Sequence, residues 1–128
     1  MTAKKRILVI DDEATFARLL KLNLERCGPY EVVTAQRGQQ GIDAAKQSRP
    51  DLVLLDMIMP DLDGSDVAQR FEADADLRDV PIVFITAMVS SGDDDAAAVG
   101  RIAGRRCISK PVSMEEILAC IEEQLGRA

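Results

Sequence analysis

Several short apolar runs in this chain end at a side chain that suits phosphoryl chemistry. A carboxylate beside Mg²⁺ can attack a phosphorus atom and form an acyl phosphate. A hydroxyl can donate a hydrogen bond to a phosphoryl oxygen, and an ammonium group supplies a compact positive charge. The side chains follow the runs at 6–10, 52–55, 82–85 and 107–109, and they are Asp11, Asp12, Asp56, Thr86 and Lys110.

The three aspartates form a candidate metal site if the fold brings them together. Neighbouring carboxylates repel one another, and a hard divalent cation removes that repulsion. Mg²⁺ prefers octahedral oxygen ligands and keeps several waters, so it needs only a few protein carboxylates and a phosphate. Phosphoryl transfer depends mainly on positioning and charge neutralisation. The residue types therefore predict Mg²⁺ at Asp11, Asp12 and Asp56.

The elements that would position these side chains follow from the hydrophobic pattern. Apolar runs of strand length alternate with longer stretches of helical period, which predicts an α/β domain with five β-α units. The predicted strands are 6–10, 30–35, 51–56, 80–85 and 106–109. The first predicted helix has Leu19 on its apolar face and ends at Gly28-Pro29. Three further helices are predicted over 39–47, 67–73 and 90–104. The last predicted helix begins with Ser113 and Glu116 as its capping box.

This alternation implies a doubly wound, five-stranded parallel sheet with helices on both faces and right-handed crossovers. In the strand order 2-1-3-4-5, the order reverses between the first and third strands, and ligands bind outside the carboxyl ends at such a point. Neighbouring strands lie about 4.8 Å apart. Asp11, Asp12 and Asp56 would then face one small pocket.

Composition and charge exclude several classes of function. The 128 residues, 47% of them hydrophobic, fit a single domain over 1–128 with no output domain. The formal net charge of −6 disfavours nonspecific nucleic-acid binding, which needs Lys and Arg to neutralise phosphates. The chain has no histidine, so a His-based catalytic dyad is excluded and any phosphohistidine must come from a partner.

The chain shows no targeting or membrane-spanning signal. No apolar run is long enough to cross a bilayer, and the run after the basic N-terminus meets Asp11 too soon for a signal peptide. The expected location is the cytoplasm. The three cysteines, Cys27, Cys107 and Cys120, have no CxxC spacing, so we expect buried, reduced thiols.

At four places the chain resembles the receiver domain of two-component response regulators. The matching segments are ILVIDDE at 7–13, DLVLLDMIMPDLDG at 51–64, PIVFITA at 81–87 and the pair Lys110-Pro111. They occur in the family's order and cover essentially the whole chain. The resemblance implies a flavodoxin-like fold and a phosphoryl-accepting signalling switch similar to the chemotaxis regulators.

The resemblance also implies roles at the acidic cluster. Asp56 would be the phosphoacceptor. Asp12, Asp56 and the backbone carbonyl of Ile58 would ligate Mg²⁺ directly, whereas Asp11 would act largely through water.

Four further positions take their roles from the same resemblance. Thr86 would move toward the phosphoryl group, and Lys110 would pair with the phosphoacceptor or its phosphate. Ile58 and Met88 would flank the route of the attacking water and so influence the lifetime of the phosphate.

One position departs from the family pattern. Receiver domains usually carry Tyr or Phe three residues before the lysine, where this chain has Cys107. A small thiol cannot fill the volume of an aromatic ring, so the usual coupling of Thr86 to that ring would be lost. The hypothesis is that signalling relies instead on backbone shifts of the 86–91 loop.

The expected function is a signalling switch rather than a turnover enzyme. The phosphoryl donor would be a histidine kinase or a phosphotransfer protein, and the chain's own reactions would be self-phosphorylation and slow self-dephosphorylation. A downstream protein would bind the surface of the fourth helix, fifth strand and fifth helix. Whether the chain also forms a homodimer is left open by the sequence. Neither nucleic acid nor a membrane is expected as a partner.

Two alternatives remain open from the sequence. The first is a binding module of the same fold in which phosphorylation is vestigial, which Cys107 favours. The second is a metal-dependent phosphatase built on Asp61 and Asp63, because residues 61–65 match the nucleophile motif of haloacid-dehalogenase-type phosphatases. That motif needs its first aspartate at the end of a buried strand, whereas Met59-Pro60 precedes it here.

Overall fold

The fold is a parallel sheet with helices on both faces. The computed structural model describes residues 4–57, 59–86, 101–102, 105–109 and 113–125. The strands are β1 Lys5–Ile10, β2 Tyr30–Ala35, β3 Leu52–Asp56, β4 Ile82–Thr86, β5 Arg101–Ile102 and β6 Arg105–Ser109. The helices within these ranges are α1 Ala14–Cys27, α2 Gly38–Ser48, α3 Gly64–Ala73 and α4 Met114–Leu125.

The strand order confirms the predicted topology. The strands lie in the order β2-β1-β3-β4-β6-β5, and all neighbouring pairs except β6 with β5 are parallel. The five parallel strands therefore follow the 2-1-3-4-5 order, with β6 as the fifth. Ile10 pairs with Leu55, which brings the carboxyl ends of β1 and β3 side by side.

Alternate residues of each strand supply two separate cores. Every residue of β3 is buried, as expected for a central strand covered on both faces. The core under α2 and α3 includes Leu8, Ile10, Val53, Leu55, Phe71 and Phe84. The core under α1 and α4 includes Ile7, Val9, Leu54, Val83, Ile108 and Ile117.

The structure corrects one prediction about the last third of the chain. The helix predicted over 90–104 is wrong at Arg101–Ile102, which form β5 and pair antiparallel with Arg106 and Arg105 of β6. Gly100 and Gly104 flank this segment, and glycine disfavours a helix while β-branched Ile102 suits a strand. Residues 90–100 and 103–104 of that prediction lie outside the described part of the chain.

The helix boundaries follow from capping. Helix α3 begins at Gly64, earlier than predicted, because Asp63 and Asp66 form a capping box at its N-terminus. The Ser113 half of the capping box predicted at α4 is confirmed, since the Glu116 N–H donates to Ser113 Oγ over 3.1 Å.

Two surface positions differ from the sequence prediction. Leu19, on the predicted apolar face of α1, is 54% exposed. Cys27, in the last turn of α1, is exposed and free, whereas Cys107 and Cys120 are buried as expected.

In the described residues, no helix combines the length and apolarity needed to cross a membrane.

Helix α1 covers the outer edge of β2. Lys21 Nζ donates to the Val32 carbonyl over 2.7 Å, and the Val32 N–H donates to Glu25 Oε2 over 3.1 Å. Lys21 and Glu25 also pair with each other over 3.2 Å. An edge strand with bare backbone groups can pair with another chain, so these contacts protect the edge. The bond from Val32 is the main reason that the pKa of Glu25 lies below its usual value.

The variant Glu25→Gln is expected to unfold more easily than the wild type at neutral pH but not in acid. The lowered pKa means that Glu25 contributes stability above its unfolded value of 4.5 and loses it as the pH falls through the folded value. The side chain is 34% exposed, so solvent screens the interaction. The difference should stay under about 1 kcal/mol.

Urea unfolding followed by circular dichroism, at about pH 7 and about pH 3.5, measures this difference. Glu122→Gln, on the exposed face of α4, is the matched control. A wild-type advantage over Glu25→Gln that is the same at both pH values would contradict the assigned role of the carboxylate.

Candidate functional site

Three carboxylates converge at the carboxyl edge of the sheet. Asp11 and Asp12 follow β1, and Asp56 is the last residue of β3. Each offers one oxygen, and these three atoms all lie within 4.8 Å of one another. Asp11 and Asp56 are only 1% and 7% exposed, whereas Asp12 faces solvent. The structure therefore brings together the three acids that the sequence placed in one pocket.

Backbone hydrogen bonds fix the start of this cluster. The Asp11 N–H donates to the Ala35 carbonyl over 2.9 Å, which extends the β1–β2 pairing by one residue. Asp11 Oδ1 in turn accepts the Glu13 N–H over 2.8 Å. Such an aspartate turn orients the carboxylate and leads the chain into α1. The acids at the end of β1 thus lie on an ordered backbone.

The donor set fits a hard divalent cation. All three ligands are carboxylate oxygens, the type that Mg²⁺ prefers. Oxygens on opposite sides of one Mg²⁺ lie about 4.2 Å apart. The 4.8 Å spread is close to that span, and exposed Asp12 leaves an approach from solvent. The residues present therefore fit Mg²⁺ with ordinary side-chain adjustment.

The segment after Asp56 turns sharply back toward α3. The Gly64 N–H donates to the Met57 carbonyl over 2.8 Å. A Cβ at Gly64 would lie 2.6 Å from the Asp56 carbonyl oxygen and 2.9 Å from Met57 Cα. Only glycine fits here without moving backbone, so the start of α3 packs closely on the end of β3.

Asp61 and Asp63, the residues of the phosphatase alternative, both serve helix N-termini. Asp61 Oδ1 and Oδ2 accept the N–H groups of Gly38 and Gln39 over 2.9 and 3.1 Å. These bonds, that from Gly38 first, hold the pKa of Asp61 below its usual value. Asp63 caps α3. Neither residue ends a buried strand, which counts against the phosphatase alternative.

The comparison with known proteins decides the family to which this fold belongs. The family model described as the response regulator receiver domain matches residues 7–122. The chain belongs to the response regulator receiver family. Receiver domains are signalling switches rather than turnover enzymes.

Relatives of this receiver domain cover almost its whole length. A polar-differentiation response regulator, DivK from Brucella anthropi, is 30% identical over 97% of this chain and 98% of its own. A CheY-like receiver domain from Methanospirillum hungatei is 28% identical, with a TM-score of 0.80 over 97% and 95% of the two chains. Chemotaxis protein CheY4 from Vibrio cholerae, at 23% identity, shares the fold with a TM-score of 0.81 over 96% and 100%.

The other predicted site residues of the receiver domain are described only in part. The backbone of Thr86 ends β4 and pairs with Ser109 of β6, one residue beyond the pairing of Asp56 with Ile85. Thr86 thus lies at the same edge of the sheet as the carboxylates. Ile58, Met88 and Lys110 lie outside the described residues.

Cys107 occupies the position at which the family usually has an aromatic residue. It pairs with Phe84 of β4 and is 8% exposed within the core under α2 and α3. Burial raises the pKa of its thiol. A thiol held in its neutral form packs as a small apolar side chain, so Cys107 is structural in this state.

Proposed function

We propose that this receiver domain accepts a phosphoryl group on Asp56 in a Mg²⁺-dependent reaction and thereby changes its binding to a partner. The observation that carries the proposal is the convergence of three carboxylates, two of them buried, from adjacent strands. A buried charge is costly unless it is compensated. A cluster of this kind at the switch point of the sheet suits a charged ligand.

The proposed roles of the acidic residues differ with their position. Asp12 and Asp56, with the carbonyl of Ile58, would hold Mg²⁺ directly, and Asp11 would hold it through water. When bound, the ion neutralises charge on the carboxylates and on the transferring oxygens. An oxygen of Asp56 forms the new bond to phosphorus as the bond to the donor breaks, so the product is an acyl phosphate.

Thr86 and Lys110 complete the proposed site. The Thr86 hydroxyl would donate to a phosphoryl oxygen, and the Lys110 ammonium would add a positive charge opposite the metal. The position of the Thr86 backbone beside the end of β3 supports this role. In the proposed switch, movement of Thr86 would reposition the 86–91 loop because Cys107 provides no aromatic ring to couple with it.

The donor and target would both be proteins. The chain has no histidine, so the phosphohistidine would belong to a histidine kinase or a phosphotransfer protein. The donor nitrogen leaves as the Asp56–phosphorus bond forms. The downstream partner would bind the surface formed by β6, α4 and the helix predicted between β4 and β5. Slow self-dephosphorylation would return the chain to its unphosphorylated state, and Ile58 and Met88 would flank the route of the attacking water.

One observation favours the vestigial alternative. Cys107 is buried against Phe84 where an aromatic switch residue is usual, so the reporting step differs from the family pattern. The acidic cluster is intact, however, and a binding module would have no need to keep three repelling carboxylates together. The phosphoryl-accepting function therefore has the stronger support.

The wild-type chain is expected to gain one phosphoryl group when incubated with Mg²⁺ and acetyl phosphate. Intact-mass measurement detects the adduct, and borohydride reduction followed by peptide mapping should locate it at Asp56. A parallel sample with EDTA should show no adduct. A chain that stays unmodified at saturating Mg²⁺ would support the vestigial alternative, and continued phosphate release that depends on Asp61 would support the phosphatase.

A further inference from the structure

We propose that Asp61 is a positioning residue for the metal site, because it links the segment that follows Asp56 to the N-terminus of α2. The proposal rests on the proposed function for the identity of the ion, Mg²⁺. Its structural basis is the placement of three elements: the end of β1, the described residues of the segment after Asp56 (57 and 59–63), and α2.

The first step concerns the segment itself. Seven residues separate Asp56, the end of β3, from Gly64, the start of α3, and the two sides of the segment meet through the bond from Gly64 N–H to the Met57 carbonyl. Between these ends, Met59 is 6% exposed and Leu62 packs against the same core. The segment is therefore attached to the body of the domain at several points, and Asp61 lies between two of them.

The second step concerns the N-terminus of α2. The first N–H groups of a helix lack partners within the helix, and Arg37 at the N-cap position makes no side-chain capping bond. Asp61, 22 to 23 residues away in sequence, accepts the N–H groups of both Gly38 and Gln39. Its negative charge also suits the positive end of the helix dipole. Both oxygens of Asp61 are thus committed to α2.

The third step concerns the face of α2 that packs against the body of the domain. A Cβ at Gly41 would overlap the Ile10 side chain, so the helix backbone packs directly on Ile10. A Cβ at Gly38 would likewise lie 2.8 Å from Leu62 Cβ. Ile10 immediately precedes Asp11 and Asp12. Helix α2 therefore contacts the strand that carries two of the acids and the segment that follows the third.

These contacts predict that loss of the Asp61 link weakens Mg²⁺ binding. Without it, residues 59–63 can shift relative to β1, and the end of β3 that they follow would have to be ordered at the moment of binding. Groups that orient metal ligands through direct hydrogen bonds typically change metal affinity by about 10- to 100-fold. Asp61 acts through the backbone and lies at the surface, so we expect the Mg²⁺ Kd of Asp61→Ala to rise by about 3- to 10-fold.

Three variants separate positioning from charge and from general destabilisation. Asp61→Asn removes the same charge as Asp61→Ala but keeps one oxygen that can accept the Gly38 N–H, so its Kd should fall between wild type and Asp61→Ala. Asp51→Ala is the matched control, because Asp51 Oδ2 accepts the Arg6 N–H over 2.8 Å at the opposite end of β3. Its Mg²⁺ Kd should match that of the wild type.

Titration of MgCl₂ into each uniformly labelled chain, followed by two-dimensional amide NMR, gives the Kd and shows that the fold is intact. An unchanged Kd in Asp61→Ala, or an equal rise in Asp51→Ala, overturns the positioning role. Equal Kd values in Asp61→Asn and Asp61→Ala would assign the effect to charge alone and also overturn it. A wild-type chain that does not bind Mg²⁺ would instead refute the proposed function, and this inference with it.

Discussion

The variant Asp56→Asn is expected to gain no phosphoryl adduct under conditions that fully modify the wild type. The side-chain amide cannot form the acyl phosphate, and Asp11 and Asp12 lie before α1 rather than at the end of β3. Intact-mass measurement after incubation with Mg²⁺ and acetyl phosphate checks the result. An adduct of wild-type yield in Asp56→Asn would contradict the assignment of Asp56 as the phosphoacceptor.

The same substitution is expected to raise the stability of the metal-free domain. Two unit charges 4.8 Å apart repel by about 3.5 kcal/mol at an effective dielectric constant near 20. Asp56 is 7% exposed, so solvent screens this repulsion only in part. The other contacts of Asp56 offset some of the gain, and we expect a net increase of about 1–2 kcal/mol in the free energy of unfolding.

Addition of Mg²⁺ should reverse the order of stability. An ion that binds only the folded state at 100 times its Kd stabilises that state by about 2.7 kcal/mol. The wild type should gain this increment, whereas Asp56→Asn has lost one ligand and should gain much less. Urea unfolding by circular dichroism, with EDTA and with Mg²⁺, measures both effects. Asp51→Asn is the control, because it removes a charge at the far end of β3 and should show neither effect.

The parts of this site that the sequence predicts are those set by local pattern. The apolar runs that end at Asp11 and Asp56 define β1 and β3, and parallel strands necessarily place such ends at one edge. Continuous apolar runs of this kind form central strands because helices cover both faces of the sheet there. The parallel sheet was therefore predictable from the residues alone, and the convergence of the three acids followed from it in the strand order 2-1-3-4-5.

The parts that the sequence does not predict depend on contacts between distant residues. The link from Asp61 to Gly38 spans 23 positions, and its only local signal is a helix start at Arg37 without a good N-cap residue. The pairing of β5 with β6 is equally difficult to predict from sequence. The two residues of β5 carry too little hydrophobic pattern to outweigh the helical signal of the Ala-rich stretch around them. Exposure of Leu19 also depends on what covers α1, which periodicity does not report.

The variant Gly64→Ala is expected to lower both the stability of the domain and its affinity for Mg²⁺. The added methyl would lie 2.6 Å from the Asp56 carbonyl oxygen and 2.9 Å from Met57 Cα, and neither backbone atom can move away freely. Overpacking of this kind typically costs about 1–3 kcal/mol, which exceeds the gain of at most about 1 kcal/mol from the better helix propensity of alanine. We therefore expect the free energy of unfolding to fall by about 1–2 kcal/mol.

The effect on the metal site follows from which atom must move. The Asp56 carbonyl belongs to the residue proposed as the phosphoacceptor, so relief of the contact shifts the backbone that carries its carboxylate. Gly28→Ala is the matched control, because its Cβ would meet the edge of the Tyr30 ring at 2.8 Å, and that half-buried ring can rotate away. Gly28 also has an extended backbone, with φ of −175°, that alanine adopts without strain. Urea unfolding gives the free energy of unfolding, and the Mg²⁺ titration gives the free energy of binding. Both should therefore change in Gly64→Ala, and both should stay within about 0.5 kcal/mol of the wild-type values in Gly28→Ala. Equal losses in the two variants would show that the approach of Gly64 to Asp56 does not position the site.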